Sequence, residues 1–89
     1  MKNINKEGLA LAIKMVRIRD RVTQTELSKA TGLTQAQISR IENSTSEAKF
    51  IDIWLICNHL NLKLEELEKK AIEYSQHYEQ ESKEVDNMS

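Results

Sequence analysis

The sequence predicts an all-α protein, a compact domain of five helices whose last helix extends beyond the domain. Three observations lead to this class. The chain of 89 residues contains no proline and only two glycines, so few positions interrupt a helix. Its apolar residues recur at spacings of three and four, which is the period of a helix with one buried face. The length suits one small domain, and the single cysteine excludes an internal disulfide.

The first helix is expected over residues 5–19, where two apolar stripes run at helical spacing. A helix that is apolar on two sides packs on two sides. One side must face the core, and the other is either plain core beneath the C-terminal helix or a contact with a second subunit. The first stripe consists of Leu9, Ala12, Ile13 and Val16, and the second of Leu11, Met15 and Ile18.

The second helix is expected over residues 24–30. Thr23 is a favourable N-cap, and Glu26 three residues later completes the pattern of a capping box. Gly32 follows the helix, and glycine tolerates the positive φ that a sharp turn after a helix demands. We therefore expect a short helix that ends in a tight turn.

The third helix is expected over residues 35–43, with Thr34 as its N-cap and with Ile38 and Ile41 facing inward. Two short helices joined by a turn that contains glycine form a helix-turn-helix unit, here residues 24–43. Glutamine can bridge adenine edges and arginine can bridge guanine edges in the major groove, so the outward face of the third helix predicts a DNA reader. This face carries Gln35, Ala36, Gln37, Ser39 and Arg40.

A fourth helix over residues 50–60, which ends before Asn61, and a fifth from residue 63 complete the domain. The fifth carries an a/d repeat of the kind that packs one helix on another, and we expect the chain to fray from Ser82. We expect this repeat to form a homodimer interface, with folding back onto the first helix as the alternative. The stripe of the fourth helix is Phe50, Ile53, Ile56, Cys57 and Leu60, and the repeat of the fifth is Leu64, Leu67, Ala71, Tyr74 and Tyr78.

Residues 23–43 carry a specific pattern: Thr-Gln, Glu-Leu, a small residue, Gly, Ile-Ser and Ile-Glu. This pattern resembles the lambda-repressor-like helix-turn-helix family, also called the Cro or xenobiotic-response-element type. Leu-Glu-Glu-Leu at residues 64–67 extends the resemblance to about residues 9–67. The resemblance implies a DNA-binding domain over residues 1–68 and a C-terminal helix extension over residues 69–89, which is also a candidate dimerisation element.

The resemblance also implies roles for individual residues. Gln24 would lie on a phosphate and brace the start of the third helix, while Gln35 and Ala36 would meet base edges or a thymine methyl. Ser39 and Arg40, one turn later, would reach a base or the adjacent phosphate. The implied DNA-contacting set is Gln24, Thr34, Gln35, Ala36, Gln37, Ser39, Arg40 and Asn43. Arg17 and Glu42 match a partly buried ion pair that ties the first helix to the third, and such a pair fixes geometry more than it adds stability.

Four positions depart from the family pattern, of which Ser28 in place of the commoner alanine is a small change. The family often has glycine after Glu-Asn and proline four residues later, whereas this chain has Ser44 and Ala48. We therefore expect the loop before the fourth helix to run differently, which leaves open any phosphate contact from Thr45 or Lys49. Trp54 stands where an aliphatic residue is usual, and it belongs either to the core or to an interface.

The distribution of charge favours a nucleic-acid partner although the net charge is only −1. Residues 1–64 carry ten Lys and Arg against six Asp and Glu, a charge of +4. Residues 65–89 carry three against eight, a charge of −5. A basic body suits contact with phosphates, and the acidic tail is expected to point elsewhere.

These observations predict a cytoplasmic, sequence-specific transcriptional regulator, a repressor or autoregulator that binds double-stranded DNA as a homodimer on a near-palindromic operator. No apolar run suits a membrane span, and no residue constellation suits catalysis, a metal or a cofactor, so we expect none of these. Two alternatives remain. One is an antitoxin whose C-terminal region holds a toxin, and the other is a protein-interaction module that has lost DNA binding.

Overall fold

The computed structural model describes residues 4–45 and 48–88, with their side chains as far as Gln76. Its helices confirm the all-α class and the order of five helices that the sequence predicts. Each helix begins within one residue of its predicted start. The helices are α1 (Lys6–Arg19), α2 (Gln24–Thr31), α3 (Gln35–Glu42), α4 (Phe50–His59) and α5 (Leu64–Met88).

Side chains just before α1 and α2 fix the residues at which these helices begin. The Asn5 carboxamide oxygen accepts a hydrogen bond from Gly8 N at 2.7 Å, and the Thr23 hydroxyl accepts one from Glu26 N at 3.0 Å. Each bond satisfies a backbone N–H that has no partner within its helix. The second bond of the capping box predicted at α2 occurs instead at α3, where the box is complete.

Left-handed backbone conformations mark the turns after four of the helices, the first of them at Arg21, which follows α1 with a φ of 59°. Gly32 ends α2 with a φ of 81°, as its place in the sequence predicts, and Asn61 follows α4 with a φ of 52°. Ser44 lies just after α3 with a φ of 59°, a conformation that favours glycine. The loop therefore makes with serine the turn that a glycine would make more easily, and Ser44 Oγ also donates to Lys6 O at 3.2 Å.

One hydrophobic core joins all five helices. Ile13 of α1, Leu27 of α2, Ile38 of α3, Ile56 of α4 and Ala71 of α5 are all fully buried in it. Because each helix contributes its apolar stripe to the same core, the helix-turn-helix unit is held on its inner side by α1 and α4. The outer side of α3 remains open to solvent.

Small residues allow α5 to pack closely along α1. A Cβ built on Gly8 would lie 2.1 Å from Ser75 Oγ and 2.7 Å from Ala71 O, so a larger residue does not fit there. Asn5 N donates to the hydroxyl of Ser75 at 2.9 Å, and Asn5 Nδ2 donates to Ser75 O at 3.4 Å. These contacts fix the register between α5 and the start of α1.

This packing removes two residues, Leu67 and Ala71, from the predicted homodimer interface of α5. Leu67 and Ala71 are 4% and 0% exposed within the single chain, so they offer no surface to a second subunit. Tyr74 is half-buried against the same core, whereas Leu64 is exposed. The repeat therefore serves mainly to pack α5 on α1 of its own chain. The Tyr78 side chain lies outside the described residues.

Apolar residues of two predicted helix stripes are exposed. Met15 and Ile18 of the second stripe of α1 are exposed and Leu11 is half-buried, so this stripe is not plain core. Phe50 belongs to the apolar stripe of the fourth helix, but it is 70% exposed. The reason is that Phe50 shares a side of α4 with Trp54, four residues later, and this side lies at the edge of the core.

The backbone of α5 stays helical to Met88, through the segment from Ser82 where the sequence predicts a frayed end. Apolar periodicity is absent there, but the segment contains neither glycine nor proline. These two residues are the least favourable in a helix interior, so their absence favours a helical backbone independently of any apolar repeat.

Candidate nucleic-acid interface

Two hydrogen-bonding side chains on α2 hold the turn between α2 and α3. Ser28 Oγ donates to Leu33 O at 2.6 Å, and Thr31 Oγ1 donates to Leu27 O at 2.8 Å while accepting from Leu33 N at 3.2 Å. Leu27 and Ile38 are fully buried where the two helices cross. Ser28 is thus more than a small residue at the crossing, because its hydroxyl also satisfies a backbone carbonyl of the turn.

The outward face of α3 presents side chains that are exposed and uncommitted. Gln35, Ala36 and Arg40 are exposed, and neither the Gln35 amide nor the Arg40 guanidinium hydrogen-bonds to another of the described residues. An amide can both donate to and accept from a base edge, a methyl can contact a thymine methyl, and a guanidinium can donate two parallel bonds. These three residues therefore keep their full recognition capacity.

Gln37 is exposed as well, but its amide is partly committed. The Gln37 side-chain oxygen accepts a hydrogen bond from Thr34 N at 2.8 Å, and the Thr34 hydroxyl accepts one from Gln37 N at 3.0 Å. In this arrangement the capping box takes one of the two lone pairs of the Gln37 oxygen, while the NH₂ group makes no hydrogen bond to a described residue. The bond to Thr34 N limits how the amide can turn toward an adenine edge, so Gln37 is better suited to donate to a phosphate oxygen.

The far end of α3 is arranged around Asn43, which is exposed and caps the helix. Asn43 Nδ2 donates to Ser39 Oγ at 3.2 Å. Ser39 is half-buried and keeps its own O–H to donate elsewhere. This pair brings two of the predicted DNA-contacting residues together at one end of the recognition face.

A buried network anchors the inner side of the site. The predicted ion pair is present: Arg17 Nε donates to Glu42 Oε2, and Arg17 NH2 donates to Glu42 Oε1 at 3.0 Å. Arg17 NH1 also donates to Val22 O at 2.8 Å, which ties in the turn between α1 and α2. The Glu42 side chain is 1% exposed and that of Arg17 is 12% exposed. Most of the polar atoms of the pair therefore find partners within the protein rather than in water.

Gln24 completes this network, a contact that the sequence does not reveal. Its Nε2 donates to Glu42 Oε1 at 3.1 Å, so the first residue of α2 is joined to the last residue of α3. The two positions are 18 residues apart and no local pattern relates them. Gln24 therefore braces α3 at its last residue, and not at the start of the helix, where the resemblance implies the bracing.

Three further observations on the described residues concern other kinds of site. No three His, Cys, Asp or Glu side chains among them are grouped so that they could hold a metal ion. None of the helices in the described ranges is long and apolar enough to cross a membrane. Cys57 is buried, and burial raises the pKa of its thiol.

Solved structures resemble this fold across most of the chain. ClgR, the clp gene regulator from Corynebacterium glutamicum, matches with a TM-score of 0.80 and 20% identity over 92% of this chain and 88% of its own. The restriction-modification controller protein C.Esp1396I matches with a TM-score of 0.73 and 21% identity over 80% of this chain and 92% of its own. A third, the controller protein C.AhdI from Aeromonas hydrophila, has a TM-score of 0.65 and 16% identity, over 68% of this chain and 92% of its own. At these identities the likeness is evidence of a shared fold.

Comparison with curated proteins gives no match. Comparison with family models, in contrast, does give one. The model described as helix-turn-helix matches residues 13–67, which include the second half of α1, all of α2, α3 and α4, and the start of α5. This match spans more than half of the chain and confirms the resemblance carried by residues 23–43. The chain belongs to the lambda-repressor-like helix-turn-helix family of DNA-binding transcriptional regulators.

Proposed function

We propose that the protein is a repressor or autoregulator that binds a near-palindromic operator as a homodimer, with α3 in the major groove. The observation that carries this proposal is the outward face of α3. There, exposed and uncommitted recognition groups lie beside residues whose side chains are already tied within the protein. Such a face suits a reader of base edges, whereas a face rich in carboxylates would not.

The hydrogen bonds divide the predicted contact residues into two groups. Gln35, Ala36 and Arg40 are the base readers, because their side chains are exposed and uncommitted. The other residues position the protein on the DNA backbone through their remaining donors. This second group consists of Gln24, Thr34, Gln37, Ser39 and Asn43.

We propose a homodimer because one recognition helix can read only a few DNA base pairs. α3 has only eight residues, and its reading face covers a few base pairs. A symmetric pair doubles the site and places two half-sites one turn of DNA apart, about 34–36 Å. The operator is then near-palindromic, since each half-site meets the same face of α3.

A salt titration tests the backbone contacts. DNA from upstream of the protein's own gene is titrated by fluorescence anisotropy between about 50 and 200 mM salt. Affinity should fall steeply with salt because contacts between basic side chains and phosphates release counterions. Asn43→Ala removes an uncharged phosphate contact, so it should lower the affinity at every salt concentration and leave the slope unchanged. Gln76→Ala, which removes an exposed amide from α5, is the matched control and should leave both the affinity and the slope unchanged. A wild-type protein without a complex at the lowest salt would contradict the proposal.

A further inference from the structure

The fourth helix has apolar residues on two sides, and only one of them is covered within the chain. Ile53, Ile56, Cys57 and Leu60 face the core. On the other side Phe50 is 70% exposed, Ile51 is 54% exposed and Trp54 is 44% exposed. A helix that is apolar all round is normally buried all round. We call the surface formed by Phe50, Ile51 and Trp54 the α4 face.

The composition of the α4 face suits a protein partner. Aromatic residues are enriched and charged residues are depleted at the centres of protein interfaces. Phe50 and Trp54 are aromatic, and the only charged side chain between residues 50 and 58 is Asp52, which is half-buried. Apolar side chains in contact with water have a higher free energy than the same side chains covered by another apolar surface. Covering the α4 face would therefore be favourable.

A second exposed apolar surface is less suited to this role. Met15 and Ile18 of α1 are exposed, but charged side chains surround them. Arg19 lies beside Met15 in a shallow groove with Lys70 and forms an ion pair with Asp20 at 3.0 Å. Covering this surface with a second protein would remove water from those charges, which costs free energy unless each finds a new partner.

We infer that the α4 face is the surface through which two copies of this chain associate. The inference rests on the proposed homodimer and assigns its interface. Two-fold symmetry brings the centre of a face against the same face of the other copy, so a charge there would meet its own like charge. The α4 face has an uncharged centre and is therefore compatible with itself. The chain carries a net charge of only −1, so two copies repel each other little at long range.

The size of the face is consistent with the centre of an interface. An aromatic side chain offers about 150–250 Å² of surface, so Phe50 and Trp54 together expose on the order of 200 Å² at their observed exposure. A standard interface buries about 800 Å² on each partner. The α4 face thus supplies the apolar centre, and neighbouring polar residues such as Lys49 and Asn58 supply a rim that stays hydrated.

The experiment compares two isoleucines of nearly equal exposure. Ile51 on the α4 face is 54% exposed and Ile18 on α1 is 48% exposed, so Ile51→Ser and Ile18→Ser are matched variants. Phe50→Ser is the third variant. Sedimentation equilibrium of the full chain measures the dimer dissociation constant, and circular dichroism checks that each variant keeps its helices. We expect Phe50→Ser to raise the dissociation constant about thirtyfold or more, Ile51→Ser to raise it less, and Ile18→Ser to leave it within about twofold.

Trp54 supplies an independent readout because it is the only tryptophan in the chain. Its emission should shift to shorter wavelength as the wild-type protein is concentrated through its dissociation constant, and Phe50→Ser should move this shift to higher concentration. A dimer that is disrupted by Ile18→Ser but not by Phe50→Ser would overturn the inference. An intact chain that is monomeric at micromolar concentration would overturn it as well.

The proposed function and the interface can fail separately. A dimer that is disrupted by Phe50→Ser but does not bind operator DNA would support the interface and contradict the proposed function. Conversely, a monomeric wild-type protein that binds a single half-site would support DNA reading by α3 and overturn the α4 interface.

Discussion

The third and fourth helices follow each other in the chain, and they are alike on their inner sides and opposite on their outer sides. α3 buries Ile38 and Ile41, and α4 buries Ile53 and Ile56, all in one core. Outward, α3 presents hydrogen-bonding groups, whereas α4 presents the apolar α4 face. The inner sides make the two helices equivalent for folding. The outer sides differ in the partner that we propose for each, DNA for α3 and a second copy of the chain for α4.

The ends of the two helices also differ, because polar side-chain contacts fix the ends of α3 but no such contact caps the start of α4. α3 begins with a complete capping box and ends with the buried carboxylate of Glu42, so specific polar contacts fix both ends. α4 begins after Lys49, which makes no side-chain capping bond. A helix that must hold recognition groups in the major groove needs precise placement, and the polar contacts provide it. Packing alone is sufficient for a helix that supplies an apolar surface.

The largest effect is expected from Glu42→Ala, which removes the buried anchor of α3. It leaves the Arg17 guanidinium largely buried without its carboxylate, and breaking such a pair costs about 3–5 kcal/mol of the free energy of unfolding. Urea denaturation measures the change. Replacing both partners in Arg17→Met/Glu42→Leu should restore most of the loss, because no uncompensated charge remains. Equal stability of the single and double variants would show that the ion pair does not anchor α3.

The equivalence of the inner sides is tested by Ile38→Ala and Ile56→Ala. Both side chains are fully buried, so each variant should lose about 2–5 kcal/mol of the free energy of unfolding through the lost burial and the cavity left behind. The same urea experiment gives both values. Should one variant lose less than about 1 kcal/mol, the two helices would not share one cooperative core.

The smallest effect concerns the two helix starts. Thr34→Ala removes the cap of α3 and should cost about 1 kcal/mol of the free energy of unfolding. Lys49→Asp introduces a capping carboxylate at α4, which has no side-chain cap, and should stabilise the protein by up to about 1 kcal/mol. Thermal unfolding detects both changes. Changes of the same sign would mean that the difference in capping between the two helices is unimportant for stability.

Local signals explain why most of the fold could be predicted from the sequence. Thr23, Thr34 and Gly32 act on backbone groups within a few residues of themselves, so the bounds of α2 and α3 follow from short stretches of chain. The partner of an apolar stripe is not local information. The repeat of α5 indicates that one side is buried, but whether it meets its own α1 depends on Gly8, far away in the chain.

For the candidate site, as for the fold, the sequence indicates which residues take part but not which distant residues they contact. Residue types and the family pattern point to the outward face of α3 and to the pair of Arg17 and Glu42. They do not reveal that Gln37 gives its amide oxygen to the capping box or that Gln24 joins the buried carboxylate. These bonds depend on side-chain conformations, which the sequence alone does not determine. The exposure of Phe50 could not be predicted either, because helical spacing groups Phe50 with residues that are buried.

The central claim, that α3 reads bases through uncommitted side chains while its neighbours hold the backbone, is tested most directly on a panel of single-base-substituted operators. Gln35→Ala and Arg40→Ala should each cost about 1–3 kcal/mol of binding free energy and remove the preference at particular base pairs. Gln24→Ala and Gln37→Ala should weaken binding to all operators of the panel alike. The same profile for Gln35→Ala and Gln37→Ala across the panel would contradict the account.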